Sequence, residues 1–441
     1  PDDQPTKPFS LNRWTLKDKL IEWLADLPLI DHTDNHADKV FHEVFSSSLV
    51  FVSSSAQAEL GFLYSQVFEH IAQDRGRLYA WKLLFLLPRL LLYPTRKSSP
   101  LSGAEQLRQR CESFYRGEFA QLWEGFSQWA STARKKSMEE PSAQEIEARL
   151  ATKMKNAVED NQLTTAIQAL TSTGVAVGPQ VPKLFRDKCP QHSEHATFED
   201  EAASLFPEAT LKGTCVPARP ERAKQIVHFW GRYLKQARKR VAPAGDGWRL
   251  EHLQLAYRFK PDSVAFVLEA ISEFLAPRDV YEHMSGVAAM AFLKKDPRHP
   301  ERGAFLGPHG IRPIGKTHAI QKLCSKPLMA AASQRHGPSL AKLGQMGAGV
   351  SSGIEVVPHS LQILFDMHPH FTVWSKDVQN AFNSLSRQKI LDCLKAIDPD
   401  LHRYFVCYYA RQRKQYMLDN MGSIIMVCYS WLGVTQGDLL A

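Results

Sequence analysis

The stretch Phe371–Arg387, FTVWSKDVQNAFNSLSR, constrains the fold of this chain most. Apolar residues alternate at Phe371 and Val373 and resume at Val378 after the polar Ser375, Lys376 and Asp377, which predicts a short, largely buried strand with a carboxylate at its C-terminal end. Asn380, Ala381 and Phe382 then form a tight connection. Ser384 is the expected N-cap of a helix through about Ala396, with Leu385, Ile390, Leu391 and Leu394 on one face. An acid at a strand tip followed by an aromatic suits Mg²⁺ and phosphate chemistry, although an Asp that merely ends a strand has the same local pattern.

Upstream, the sequence is dominated by helical periodicity. Leu20, Trp23, Leu24 and Leu27 share a face, as do Leu107, Cys111, Phe114 and Tyr115, and then Phe119, Leu122, Trp123 and Phe126. The most apolar run, Trp81–Tyr93, carries Lys82, Pro88 and Arg89 and is too short to span a bilayer; it predicts a buried helix broken near Pro88. Residues 1–130 therefore form an α-helical region, and residues 131–217 a charged helical linker and loop region. Asp31, His32, Asp34 and His36 lie on a polar turn and are expected as a solvated loop; Cys189, His192 and His195 lack a fourth ligand at zinc spacing, so a zinc site is not expected there. Seven scattered cysteines without a C-x-x-C favour reduced thiols in an intracellular protein.

A formal net charge of +8 tilts the chain toward a polyanionic partner. The charge is concentrated from Arg219 to Arg240, where Ile226, Val227, Trp230, Tyr233 and Leu234 follow a helical period. One face packs and the other presents Arg232, Lys235, Arg238, Lys239 and Arg240, candidates for contact with nucleic-acid phosphates. A turn at Pro243–Trp248 leads into RLEHLQLAYRF, with Trp248, Leu250 and Leu253 as packing residues, and a helix is expected from Ser263 to Leu275.

Ala288–Lys295 and Gly310–Ile314 read as two antiparallel strands joined by a polar loop, which hold Lys294, Lys295 and Arg312 over a shared patch. Such cations suit a nucleoside triphosphate, and the planar fork of Arg matches its oxygens. The helix expected from Thr317 to Ser333 carries Lys322 and Lys326 four residues apart, placed to line a nucleic-acid channel. Gly349-Val350-Ser351-Ser352-Gly353 fits the serine-hydrolase elbow, but no apolar strand precedes it and the spacing to Asp366, His368 and His370 is too short for intervening strands. No Lys-Ser/Thr follows these glycines, so it is not a P-loop either.

Three segments in order, GIRPI at 310–314, DVQNAFNSLSR at 377–387 and GVTQGD at 433–438, resemble the reverse transcriptases, most closely those of non-LTR retrotransposons. The Gly245-Asp246-Gly247-Trp248 turn and the series Gln345, Gly347, Gly349, Gly353 and Glu355 are similar to further segments of that family. The resemblance covers roughly the C-terminal half. It implies an α+β chain in which residues 218–441 are the fingers and an incomplete palm of a right-hand polymerase. Asp377 and the carbonyl of Val378 would hold two Mg²⁺ ions, and Arg312 with Lys294 or Lys295 would grip the incoming triphosphate. Phe382 would be the steric gate against a ribose 2′-hydroxyl, while Gln436 and Gly437 would contact the nucleotide and the templating base pair.

The implied partners are an RNA template, a DNA primer and deoxynucleotides, without a membrane; the implied place of action is the nucleus. Two departures stand out. Leu439-Leu440 replaces the family's usual Pro-Leu, and no Tyr-x-Asp-Asp occurs before Ala441, so this stretch is expected to be a polymerase fragment inactive alone. The alternative is a catalytically dead, polymerase-derived nucleic-acid-binding protein, and a third possibility is a helical scaffold.

Overall fold

Proline in a helix removes one N–H and leaves the carbonyl four residues earlier without its donor. In this protein that local deficit is met by a distant tryptophan. The computed structural model describes residues 13–31, 41, 56–94, 99–137, 143–159, 176, 179–189, 198–206, 213–237, 245–295, 304–305, 310–347, 350–374, 380–419 and 424–438. Helices α1 (Arg13–Ala25), α2 (Gln57–Gln73) and α3 (Leu78–Leu92) begin the chain. Contrary to the expected break, α3 continues through Pro88. The Leu84 carbonyl, four residues before it, instead accepts from the Trp248 indole N–H at 2.7 Å. Arg89 is also buried; it donates to the carbonyls of Phe85, at 3.2 Å, and of Gly245.

Helices α4 (Gly103–Tyr115) and α5 (Phe119–Ser137) pack against α3. Ser102 begins α4 with a reciprocal capping box to Glu105. The charged segment that follows contributes α6 (Ala143–Glu159), α7 (Val181–Asp187) and α8 (Glu199–Leu205). Next come α9 (Pro220–Lys235), α10 (Leu250–Phe259), α11 (Pro261–Ser272) and α12 (Arg278–Ser285). On α9, Ile226, Trp230 and Leu234 are buried as the period predicts, and Trp248, Leu250 and Leu253 are buried packing residues. Both α10 and α11 pack on α2. Gly61 permits the first contact, because a Cβ there would lie 2.6 Å from the Phe259 ring. One apolar cluster accordingly extends from Leu20 to Val434.

The fold is α+β: beside the helices stands a small mixed sheet. The strands are β1 (Val287–Lys295), β2 (Ala304–Phe305), β3 (Ile311–Lys316), β4 (Arg413–Leu418) and β5 (Ile424–Ser430). The expected antiparallel pair is present, with Phe292 opposite Arg312 and Ala288 opposite Lys316. β1 also pairs in parallel with β4, Val287 opposite Gln415, and β4 pairs antiparallel with β5. A parallel neighbour requires a crossover. It is made by α13 (Ala319–Lys342), α14 (Gly353–Met367), α15 (Ala381–Ser384), α16 (Arg387–Ile397) and α17 (Pro399–Tyr409).

One face of the sheet, with Ala289, Ala291, Ile311, Met417 and Cys428, is covered by Val181 and Phe185 of α7. The cysteines are free thiols, Cys189 and Cys428 included, whose sulfurs lie 3.8 Å apart.

Three expectations along the crossover are corrected. The helix placed at Thr317–Ser333 runs on to Lys342. The cap placed at Ser384 belongs to Ser386, whose hydroxyl accepts from the Lys389 N–H. The strand expected from Phe371 is not formed over Phe371–Trp374, which is irregular and exposed. The rest of that expected strand, residues 375–379, lies outside the described residues. At the α16–α17 junction Asp398 is buried and accepts from the N–H groups of Asp400 and Leu401, both at 3.1 Å, while Arg335 and His336 of α13 each reach it at 2.7 Å. No helix among the described residues is long and apolar enough to cross a membrane.

Trp248→Phe strips the Leu84 carbonyl of its donor and is expected to cost about 1–3 kcal/mol in urea unfolding. In the Pro88→Ala background the cost is smaller, because the substituted residue then supplies a backbone N–H; purely additive losses in the double variant would refute the assignment. Burial raises the Asp398 carboxyl, but Arg335, His336 and the Leu401 N–H more than offset it and hold it down at about 2. Its contribution is therefore complete above the ordinary carboxylate range and fades as pH falls toward 2. Asp398→Ala is expected to flatten the acid limb of the stability profile between about pH 5 and pH 2.

Candidate functional site

The segment after β5 is built around glycines that only close backbone approach explains. Gly433 has φ +61, and a Cβ on it would lie 1.9 Å from the Phe382 carbonyl oxygen. Its N–H donates to the Leu385 carbonyl and the Val434 N–H to the Phe382 carbonyl, both at 2.7 Å. This laces the connection after the Asp377 stretch directly onto the segment. Two residues later the Gln436 carbonyl accepts from the Gly315 N–H of β3 at 2.8 Å. Gly437 has φ +106, and a Cβ there would stand 2.5 Å from the Gly315 carbonyl oxygen. Gly315 is equally constrained, since its own Cβ would strike Thr435 at 2.4 Å and Val287 at 2.6 Å.

Buried ions hold this turn in place. Arg413 at the start of β4 and Asp438 pair at 3.1 Å with both side chains fully buried. The hydroxyls of Tyr404 and Tyr409 each donate to Asp438 at 2.9 Å, and the Tyr409 oxygen accepts from the Thr435 N–H at 3.2 Å. Burial pulls the Arg413 guanidinium down, but Tyr409 and Asp438 more than offset it and leave it raised. Arg387 completes the frame by donating to the carbonyls of Gly433, Arg411 and Ser430 at 3.0, 3.0 and 2.9 Å.

The sequence-predicted residues are thus placed as follows. Arg312 is exposed on β3, Phe382 is 40% exposed, Gln436 is half-buried and Gly437 is exposed; backbone bonds join the three segments that carry them. Lys322 is half-buried in the first turns of α13 and Lys326 is exposed. Lys294 and Lys295 end β1 opposite Phe305 and Ala304. Arg232 and Lys235 are exposed on α9, which packs on α10 and α11. Asp377, Val378, Arg238, Lys239 and Arg240 lie outside the described residues. Of the polar turn at 31–36, Asp31 is described and buried. Among the described residues no three His, Cys, Asp or Glu side chains are grouped to hold a metal.

No known family model and no curated protein matches the chain.

Arg387, Arg413, Tyr404, Tyr409 and Asp438 were not singled out from sequence. The available signals were an Arg opening an apolar strand and a Tyr in each of two consecutive helical turns. A buried ion left without its partner is strongly destabilising. Asp438→Ala is expected to cost about 3–5 kcal/mol in chemical unfolding, whereas Lys326→Ala, at an exposed position, costs under about 0.5 kcal/mol.

Proposed function

We propose that this chain provides the nucleotide-gripping part of an RNA-directed DNA polymerase. Support comes from the pair of backbone bonds Gly315 N–H to Gln436 O and Val434 N–H to Phe382 O. Through them, three segments far apart in sequence, each carrying a residue suited to a nucleotide, lie side by side. In this reading exposed Arg312 meets triphosphate oxygens through its planar fork. The Phe382 ring, fixed by its own carbonyl on Val434, crowds a ribose 2′-hydroxyl, and the Gln436–Gly437 turn faces the base pair. Asp377 and Val378 are the metal-holding positions by resemblance to reverse transcriptases, and the metals would supply charge stabilisation for phosphoryl transfer. The exposed Arg232 and Lys235 of α9 meet backbone phosphates of the template or primer.

The test measures binding of the full chain to a labelled RNA-template/DNA-primer duplex across a salt series, then the thermal shift given by deoxynucleotides and ribonucleotides. Expected are a log–log salt slope of several units and a larger shift with deoxynucleotides, with the sugar preference lost in Phe382→Val. Salt-independent or absent binding would leave a helical scaffold. Duplex binding without any sugar preference would leave a nucleic-acid-binding protein of the same descent.

A further inference from the structure

The fold brings together two cysteines that stand 239 residues apart in the chain. Cys189 lies two residues beyond α7, and Cys428 lies in β5 on the sheet face that α7 covers. Both side chains are buried, and their sulfurs are in contact at 3.8 Å. A disulfide holds its sulfurs at about 2.0 Å, so a small rotation of the two side chains closes the gap. Gln415 of β4, opposite Cys428 in the ladder, touches both sulfurs. Its side-chain oxygen accepts from the Cys189 thiol at 3.3 Å, and its carbonyl oxygen lies 3.8 Å from the Cys428 sulfur. Gln415 is itself buried, which fixes both thiols in place.

The Cys189 N–H donates to the Arg186 carbonyl at 2.9 Å, so its position follows that of α7, which Val181 and Phe185 seat on the sheet. The preceding residue reaches the candidate site. The Lys188 carbonyl accepts from the side-chain N–H of Asn380 at 3.1 Å. Asn380, with φ +55, opens α15, and its own carbonyl accepts from the Asn383 N–H at 3.1 Å and the Ser384 hydroxyl at 2.9 Å. These bonds enclose Phe382. A covalent link at Cys189 therefore acts on the anchor of the connection that carries this ring.

We infer that Cys189 and Cys428 are a peroxide-oxidisable pair whose disulfide bonds the end of α7 to β5 and tightens the anchor of the Phe382 connection. One thiol sulfur takes an oxygen from hydrogen peroxide as the O–O bond breaks, which yields a sulfenic acid and one water. The second sulfur then attacks the first; the S–O bond breaks, and the hydroxyl leaves with the second thiol's proton as another water. The two thiols together lose two electrons and the peroxide gains two. Buried thiols react slowly, so the reaction proceeds through opening of α7, a helix of seven residues, and is slower than oxidation of the exposed Cys393. The pairing rests on its own contacts and does not require the polymerase reading.

The test treats the full chain carrying Cys393→Ser, which removes the exposed thiol and cross-linking through it, with hydrogen peroxide. Thiols are then counted in denaturant, and a digest made without reductant is read by mass spectrometry. Six thiols are expected to fall to four, with one linked peptide pair that joins Cys189 to Cys428 and is released by dithiothreitol. Amide exchange over 181–189 and 380–384 is expected to slow at least about tenfold in the oxidised form, because the link opposes local opening. Retention of all six thiols under peroxide that consumes Cys393 of the parent, linkage between other cysteines, or unchanged exchange in both segments overturns the inference. The same digest of the unsubstituted chain reads the linkage directly, so the outcome does not hang on the folding of the variant. Sugar selectivity enters none of these readouts, which keeps a failure here distinct from a failure of the polymerase reading.

Discussion

The fully buried pair Arg413–Asp438 is the contact on which the arrangement of this protein depends. Neither charge reaches water, so each must be compensated by geometry. Arg413 brings the first residue of β4 and, through its bond to the Ser285 carbonyl at 2.8 Å, the end of α12. Asp438 brings the segment after β5, and Tyr404 and Tyr409 bring two consecutive turns of α17. All these parts of the chain must be in register before the desolvation of two ions is offset. That requirement presses the Gln436 carbonyl onto β3 and makes the turn a rigid part of the sheet edge rather than a mobile tip.

A second fixed point sets where the helical body meets this edge. The Asp246 carboxylate accepts from the Trp248 N–H at 3.0 Å and pairs with His318, while the Trp248 indole serves the carbonyl left over by Pro88. The turn at 245–248 thus connects α3 to the start of α13 through buried polar contacts that tolerate little displacement. The Lys322 N–H donates to the His318 carbonyl at 2.9 Å, so this run of contacts reaches from α3 into the first turn of α13. The N-terminal helices consequently position the candidate site without contributing a side chain to it.

Legibility in the sequence followed the range of the interactions. The period-3.6 faces of α9 and α10 and the alternation of β1 and β3 are local, and they were readable. The continuation of α3 through Pro88 was not, because the donor that rescues it lies 164 residues away. The strand expected at Phe371 had the right alternation but the wrong surroundings. Ile354, Met367 and Trp374, at 77%, 66% and 83% exposure, mark an apolar stretch left largely in solvent, so alternation there buries no face. For the site, Gln436 and Gly437 were singled out by resemblance alone and their backbone constraints were not, while Arg413 and Asp438 are ordinary charged residues until the sheet brings them together. Lys316, two residues past the GIRPI segment, was not singled out; its position on the Arg312 face follows from the strand's alternation.

The cations around the turn differ by what surrounds them rather than by type. Arg387 is buried and its guanidinium is taken up by three backbone carbonyls and a serine hydroxyl, so it stabilises the frame and has no reach outward. Arg413 is buried and matched by an acid. Lys316 and Lys322 are half-buried and matched by none among the described residues, and Arg312 stands exposed on the same strand face as Lys316. Positive charge is therefore neutralised inside and left open toward the solvent side of β3. A charge exposed to water as Arg312 is has its attraction for an anion weakened by screening, whereas the half-buried Lys316 and Lys322 are screened less.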